Sequence, residues 1–221
     1  MSLVPDDFSI PIGIDGINCS KFTNSVGKRI LALGTCAGKK RWHISVNSLD
    51  FFPSQENLIL SVSRVGGVKI HNVETGSRIW HVPVAHDEHE LTSALILNEF
   101  CWVTGDENGN IKMWDKRRDS AVGSAFTISL RSAIENDLSK LLIKNSERLR
   151  EQLNDGGWLS INDMAIVPSN NKPLEGILFA AIDDGTLATV DLNRRCVKMF
   201  SDTLGYSART VVPIKVKEII N

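Results

Sequence analysis

The chain is 221 residues long and short of several things, each of which closes off a class of protein. Cysteine occurs only at Cys19, Cys36, Cys101 and Cys196, with no Cys-x-x-Cys pair and too thinly for a disulfide framework. Zinc ligation and stapling are set aside, and the thiols read as buried small hydrophobes of an intracellular protein. Long apolar runs are missing: no window reaches the roughly 18 residues a membrane helix needs. The opening MSLVPDDFSI also lacks the basic start and apolar core of a secretory signal, so no membrane contact is expected. Nor is charge of one sign in surplus. Lys and Arg number 25 against 26 Asp and Glu, a formal net charge of −1, so nucleic acid could be held only by a local patch.

The pieces of an active site are equally scarce. GTCAGKK, at 34–40, lacks the spacing of a phosphate-binding loop. The five histidines lie around strand ends, and the one concentrated set, His86-Asp87-Glu88-His89, reads as a polar loop rather than a metal site. With no convergent nucleophile, base and electrophile, no catalysis, cofactor or small-molecule substrate is expected.

What is present is repetition. Leu91–Leu97, Phe100–Thr104 and Ile111–Trp114 read as three short strands, the last two joined by Asn108-Gly109, a dipeptide that tolerates positive φ in a tight hairpin. Asp15-Gly16, Gly66-Gly67 and Asp184-Gly185 occupy similar places between an apolar run and a strand. Aligning VNSLDFFP, LTSALIL, INDMAIVP and ARTVVPI puts Ser48, Ser93, Asp163 and Thr210 in one column. The period is about 45 residues, that of a four-stranded propeller blade, with one longer gap. A sheet this small cannot bury both faces, so each copy makes sense only stacked on its neighbours.

The chain divides accordingly: a partial first blade at 8–43, a second blade at 44–84, a third at 85–125, a helical insertion at 126–157, a fourth blade at 158–206 and the start of a fifth at 207–221. In the first unit, Phe8–Phe22 reads as second and third strands joined at Asp15-Gly16, with Arg29–Leu33 as the outer strand, so the chain starts part-way through a repeat. In the insertion, Leu130, Ile134, Leu138, Leu141, Leu142, Leu149 and Leu153 recur at helical steps and predict an amphipathic helix over Ser129–Leu153. It packs on the rim, docks a partner, or comes from non-coding sequence read as protein.

The stretch AHDEHELTSALILNEFCWVTGDENGNIKMWDKR, with its neighbours, resembles the WD repeat-containing protein 55 family. That resemblance implies an all-β WD-repeat β-propeller, here incomplete, with about three full blades, partial blades at both ends and one inserted amphipathic helix. It implies a non-enzymatic scaffold of the nucleus and nucleolus, with the cytoplasm also open, working in ribosomal RNA processing with pre-ribosomal factors. It also implies a buried blade network, which falls here on His86, Thr104, Asn108, Trp114 and Asp115, with Asn108 standing where an acidic turn residue usually lies. Separately, Trp114-Asp115-Lys116-Arg117 resembles the W-D-x-R box of WD-repeat substrate receptors of cullin-RING ubiquitin ligases. That second resemblance implies partner contact with the ligase adaptor through Lys116 and Arg117.

Two further expectations rest on the residues themselves. The basic clusters Lys39-Lys40-Arg41, Lys116-Arg117-Arg118 and Arg194-Arg195 either are solvated loops or gather on one rim for weak, sequence-blind contact with RNA phosphates. An open array leaves edge strands unpaired, so the isolated chain is expected to be unstable or to self-associate.

Overall fold

The structure, a computed structural model, describes residues 17–22, 31–35, 45–87, 89–120, 123–137, 159–169, 172–201 and 207–213. Fourteen strands and one helix are defined among them, and the strands form four antiparallel sheets. The first sheet pairs β1 (Ile17–Phe22) with β2 (Leu31–Thr35). The second runs β3 (Val46–Phe52), β4 (Gln55–Ser63), β5 (Val68–Asn72) and β6 (Arg78–Val82) in sequence order. The third runs β7 (Leu91–Ile96), β8 (Cys101–Asp106), β9 (Asn110–Asp115) and β10 (Phe126–Ser129). The fourth follows the helix α1 (Leu130–Asp137) and comprises β11 (Ile161–Ser169), β12 (Lys172–Ile182), β13 (Leu187–Asp191) and β14 (Cys196–Phe200).

The first strands β1, β3, β7 and β11 pack against one another in that order, so each sheet is a blade laid beside the next and the whole is an incomplete all-β propeller. Its apolar residues are spent between sheets. Phe52, Leu60, Val62, Leu91, Trp102 and Trp114 close the seam between the second and third blades, with Trp80 edge-on to both Trp102 and Trp114. Val103, Ile111, Ile161, Leu178, Ile182 and Phe200 fill the region of the third and fourth. β8 lies between two neighbours and is buried at every position, which is why CWVTGD shows no polar alternation.

Three expectations change. β1 is an inner strand, not the third strand of its blade, and its partner is β2; the Asp15-Gly16 turn lies outside the described residues. The reason is the neighbouring blade: β1 packs along β3, where only a first strand fits. Phe126–Ser129, assigned above to the insertion, instead completes the third blade, pairing with β9 from Phe126↔Met113 to Ser129↔Asn110. The helical periodicity that starts at Leu130 masked so short a strand. Third, the described helix spans Leu130–Asp137 only, and the remainder of the Ser129–Leu153 helix expected from the sequence lies outside the described residues.

Ser129 ends β10 and also caps α1, its hydroxyl accepting from the Ser132 N–H at 3.2 Å. Leu130 and Ile134, one helical turn apart, are both fully buried among Ile111, Leu159 and Ile161. Each is worth about 1.5–3 kcal/mol at such a site, so the helix is seated at the seam between the third and fourth blades.

Candidate functional site

Every inner strand carries the same irregularity. The pairing register shifts between Ile17 and Cys19, Val46 and Ser48, Leu91 and Ser93, and Ile161 and Asp163. The residue passed over in each case is Asn18, Asn47, Thr92 or Asn162, and a residue released from its ladder can aim its side chain sideways. All four do so. Asn18 donates to the Val46 carbonyl at 3.3 Å, Asn47 to Leu91 at 2.8 Å, Thr92 to Ile161 at 2.6 Å and Asn162 to Ala208 at 2.9 Å. The first three acceptors, Val46, Leu91 and Ile161, each sit just before the donor of the following blade, so the bonds run as one series along the array.

The column found in the sequence adds to this series. Ser48 Oγ accepts from the Ala94 N–H at 3.2 Å, and Asp163 Oδ2 accepts from the Val211 N–H at 2.9 Å and the Thr210 hydroxyl at 2.7 Å. Asp50 ties three blades: one oxygen takes Lys21 Nζ at 3.1 Å and the other the Ile96 N–H at 3.1 Å.

Among the described residues, the third blade holds the most concentrated polar chemistry. β8 alternates Trp102, Thr104 and Asp106 onto one face, and the β6–β7 connection lowers His86 onto it. Thr104 Oγ1 lies 2.7 Å from Trp114 Nε1 and 2.7 Å from His86 Nε2, while His86 Nδ1 lies 2.8 Å from Asp106 Oδ2. An indole N–H can only donate, so Thr104 accepts from Trp114 and gives its own proton to His86 Nε2. His86 is then a neutral imidazole that donates from Nδ1 to the Asp106 carboxylate.

The electrostatics agree. Burial pulls the His86 pKa below its ordinary value, and the bond and charge of Asp106 offset this only in part. For Asp106 burial pushes upward, but hydrogen bonds from His86 and from the backbone and side chain of Asn110 outweigh it and hold the carboxyl below the usual carboxylate range. Asn110 supplies its N–H at 2.8 Å and its amide at 2.9 Å.

The connectivity of hydroxyl, imidazole and carboxylate is that of a nucleophilic triad, and its placement is not. The side chains of His86 and Asp106 are both 0% exposed, and Thr104 already accepts from Trp114, so no substrate reaches the hydroxyl. The chemistry is spent on holding β8 and β9 to the preceding turn.

Of the residues expected in this network, the structure brings His86, Thr104 and Trp114 together and leaves two outside. Asn108 gives Asp106 only its backbone N–H, at 2.9 Å. The acid is Asp106, missed because the turn residues were aligned on Asn108-Gly109 rather than on the strand end Thr-Gly-Asp before it. Asp115 is not in the network either. It lies at the far end of β9, where it accepts from Arg117 Nε at 2.9 Å and from Arg117 Nη2 at 2.6 Å. That pairing holds the Asp115 carboxyl below the usual range.

Around Asp115 the rim is cationic and aromatic. Lys116 Nζ stands 5.0 Å from the ring centre of Phe52 and 5.4 Å from that of Phe100, and Arg117 stacks on Phe100 at 4.8 Å. Lys116–Arg118 and Arg194–Arg195 occupy equivalent turns, β9–β10 and β13–β14, of adjacent blades; Lys39–Arg41 lie outside the described residues. Arg195 stacks on Phe126 at 5.0 Å.

The chain is similar to WD repeat-containing protein 55. The Danio rerio protein of that name is 31% identical over 70 residues, covering 32% of this chain and 18% of the relative. The Aedes aegypti homolog is 30% identical over 99 residues, 43% of this chain and 20% of the relative. The Drosophila erecta homolog is 29% identical over 97 residues, 43% of this chain and 19% of the relative. The matches span about a fifth of the length of these relatives. No family model matches the chain. The matches and the radial sheets together support a WD-repeat chain.

Proposed function

We propose that the chain is a WD-repeat scaffold that binds other proteins without catalysis, serving ribosomal RNA processing in the nucleus and nucleolus. The observation that carries the scaffold reading is the sealed network: the best-formed acid–base constellation, His86, Thr104 and Asp106, is closed to solvent and binds the blade to itself. What the blades offer to a partner is their exposed turns. The equivalent cationic turns at Lys116–Arg118 and Arg194–Arg195 support a salt-dependent contact with ribosomal RNA beside the protein partners. Depletion of the protein is expected to make precursor ribosomal RNA accumulate. Unchanged precursor levels after depletion remove the ribosomal reading.

A second reading is supported by Arg117. Trp114 is buried, and three residues later the Arg117 side chain is 60% exposed, as a receptor of a ubiquitin-ligase adaptor requires. Arg117→Ala is expected to abolish co-precipitation of the adaptor and leave the fold intact, since the exposed pair it forms with Asp115 contributes little to stability. Adaptor binding that survives the substitution ends this reading.

A further inference from the structure

We propose that a cleft between the third and fourth blades binds an acidic segment of a partner protein, with an Asp or Glu carboxylate seated on Arg195. The cleft follows from the local chain. β10 passes into α1 at Ser129 without a connecting loop, so strand and helix make two walls of a corner. The β13–β14 turn of the next blade makes the third wall. The space enclosed is about 350 Å³, at the small end of ligand pockets, and none of the residues lining it is acidic. Ser132, Ala133 and Asn136 reach it from the side of the helix turned away from the buried Leu130 and Ile134. Arg195 supplies the one cation, Ser132 and Asn136 supply neutral donors, and Ile128, Ala133 and Val197 supply apolar ground.

The state of Arg195 decides the ligand. It sits at φ +55°, in the left-handed region a bulky side chain seldom adopts, and its guanidinium lies 5.0 Å from the ring centre of Phe126. A guanidinium held over a ring keeps its N–H groups, which lie in its own plane, for another partner. Among the described residues none takes them. The carboxylate of its own hairpin, Asp191, is already paired with Arg194 at 3.9 Å and Lys198 at 3.0 Å. A planar fork with one charge matches a carboxylate, which accepts from it in two parallel bonds. RNA fits the cleft less well: a run of phosphates asks for a row of cations, and a base asks for an open ring to stack on, whereas the Phe126 face is covered by Arg195. This inference rests on the reading of the chain as a protein-binding scaffold and names what one face of it takes. It does not need the ribosomal role, so normal precursor RNA after depletion leaves it standing.

A random-peptide phage library panned on the whole 221-residue chain tests this. Enriched peptides are expected to carry an Asp or Glu beside an apolar residue. Resynthesised with a fluorescent label, they are expected to bind Arg195→Gln about tenfold more weakly or worse, and to lose as much when their own acid becomes an amide. Ala133→Leu keeps the charge and fills the cleft, so it is expected to weaken binding too. Arg195→Glu is expected to reject the acidic peptide and accept its Lys counterpart. Arg195 is exposed and leucine suits a helix, so unchanged circular dichroism shows that the fold survives. Failure to enrich any peptide, peptides without an acid, or binding indifferent to Arg195→Gln or to Ala133→Leu overturns the proposal. So does a labelled single-stranded RNA that loses affinity in these variants while the peptides do not.

Discussion

His86 is held neutral, and this gives the molecule an acid-sensitive point. Its pKa in the fold lies below the 6.5 of a free imidazole, so the unfolded chain binds the proton more readily. Stability from this residue is complete above about pH 6.5 and is lost as pH falls from there toward the lowered value. Asp106, also lowered, adds a second loss as pH falls below its ordinary 3.8. Urea midpoints measured between pH 7.5 and 5 are expected to fall with acid, and His86→Gln should flatten that decline; an equally steep decline in the variant would falsify the assignment. Asp106→Ala, which strands a buried imidazole and the N–H groups of Asn108 and Asn110, is expected to cost roughly 3–5 kcal/mol. Trp114→Phe keeps most of the packing and removes one donor, so a loss nearer 1 kcal/mol, read by thermal melting, is expected.

At the scale of elements, Gly109 shows what the hairpins demand. Its φ is +79°, and a Cβ built there would lie 2.9 Å from the Leu159 Cβ and 3.4 Å from that of Leu130. Gly109→Ala meets both strain and crowding and is expected to lower stability by about 2 kcal/mol or more. Gly76→Ala, at φ +68° with open space around the Cβ, is expected to cost only about 1 kcal/mol. Comparable losses for the two would show that the helix seat does not crowd Gly109.

The hairpins were legible because Gly66, Gly109 and Gly185 need a conformation few other residues adopt, and the sequence must advertise it. The Ser48, Ser93, Asp163 and Thr210 column was legible as a repeat. The neighbours that bridge the blades, Asn47, Thr92 and Asn162, were not singled out, since asparagine or threonine in a strand says nothing until the register shift that frees it is known. β1 was misread for a related reason: a first and a third strand of an open sheet have the same alternation, and the adjoining blade decides between them. Asp106 was passed over because the turn, not the strand end, was taken as the place for an acid.

At the scale of the molecule, stability in such an array is a sum of blades and nearest-neighbour seams. The second, third and fourth sheets each have four strands and are covered on their seams, whereas β1 is exposed at every position but Cys19. Amides of β1 and β2 are therefore expected to exchange with solvent first and those of β8 last, as hydrogen exchange read by mass spectrometry will show. Uniform exchange would mean that the blades open together.

The double duty of Ser129 has a mechanical outcome. Because one residue finishes β10 and starts α1, no slack separates the helix from the sheet. A partner gripping the chain beyond Asp137 would haul on a stiff handle rooted by Leu130 and Ile134 in the joint of two blades. Tension there would prise that joint open before it stretched any hinge.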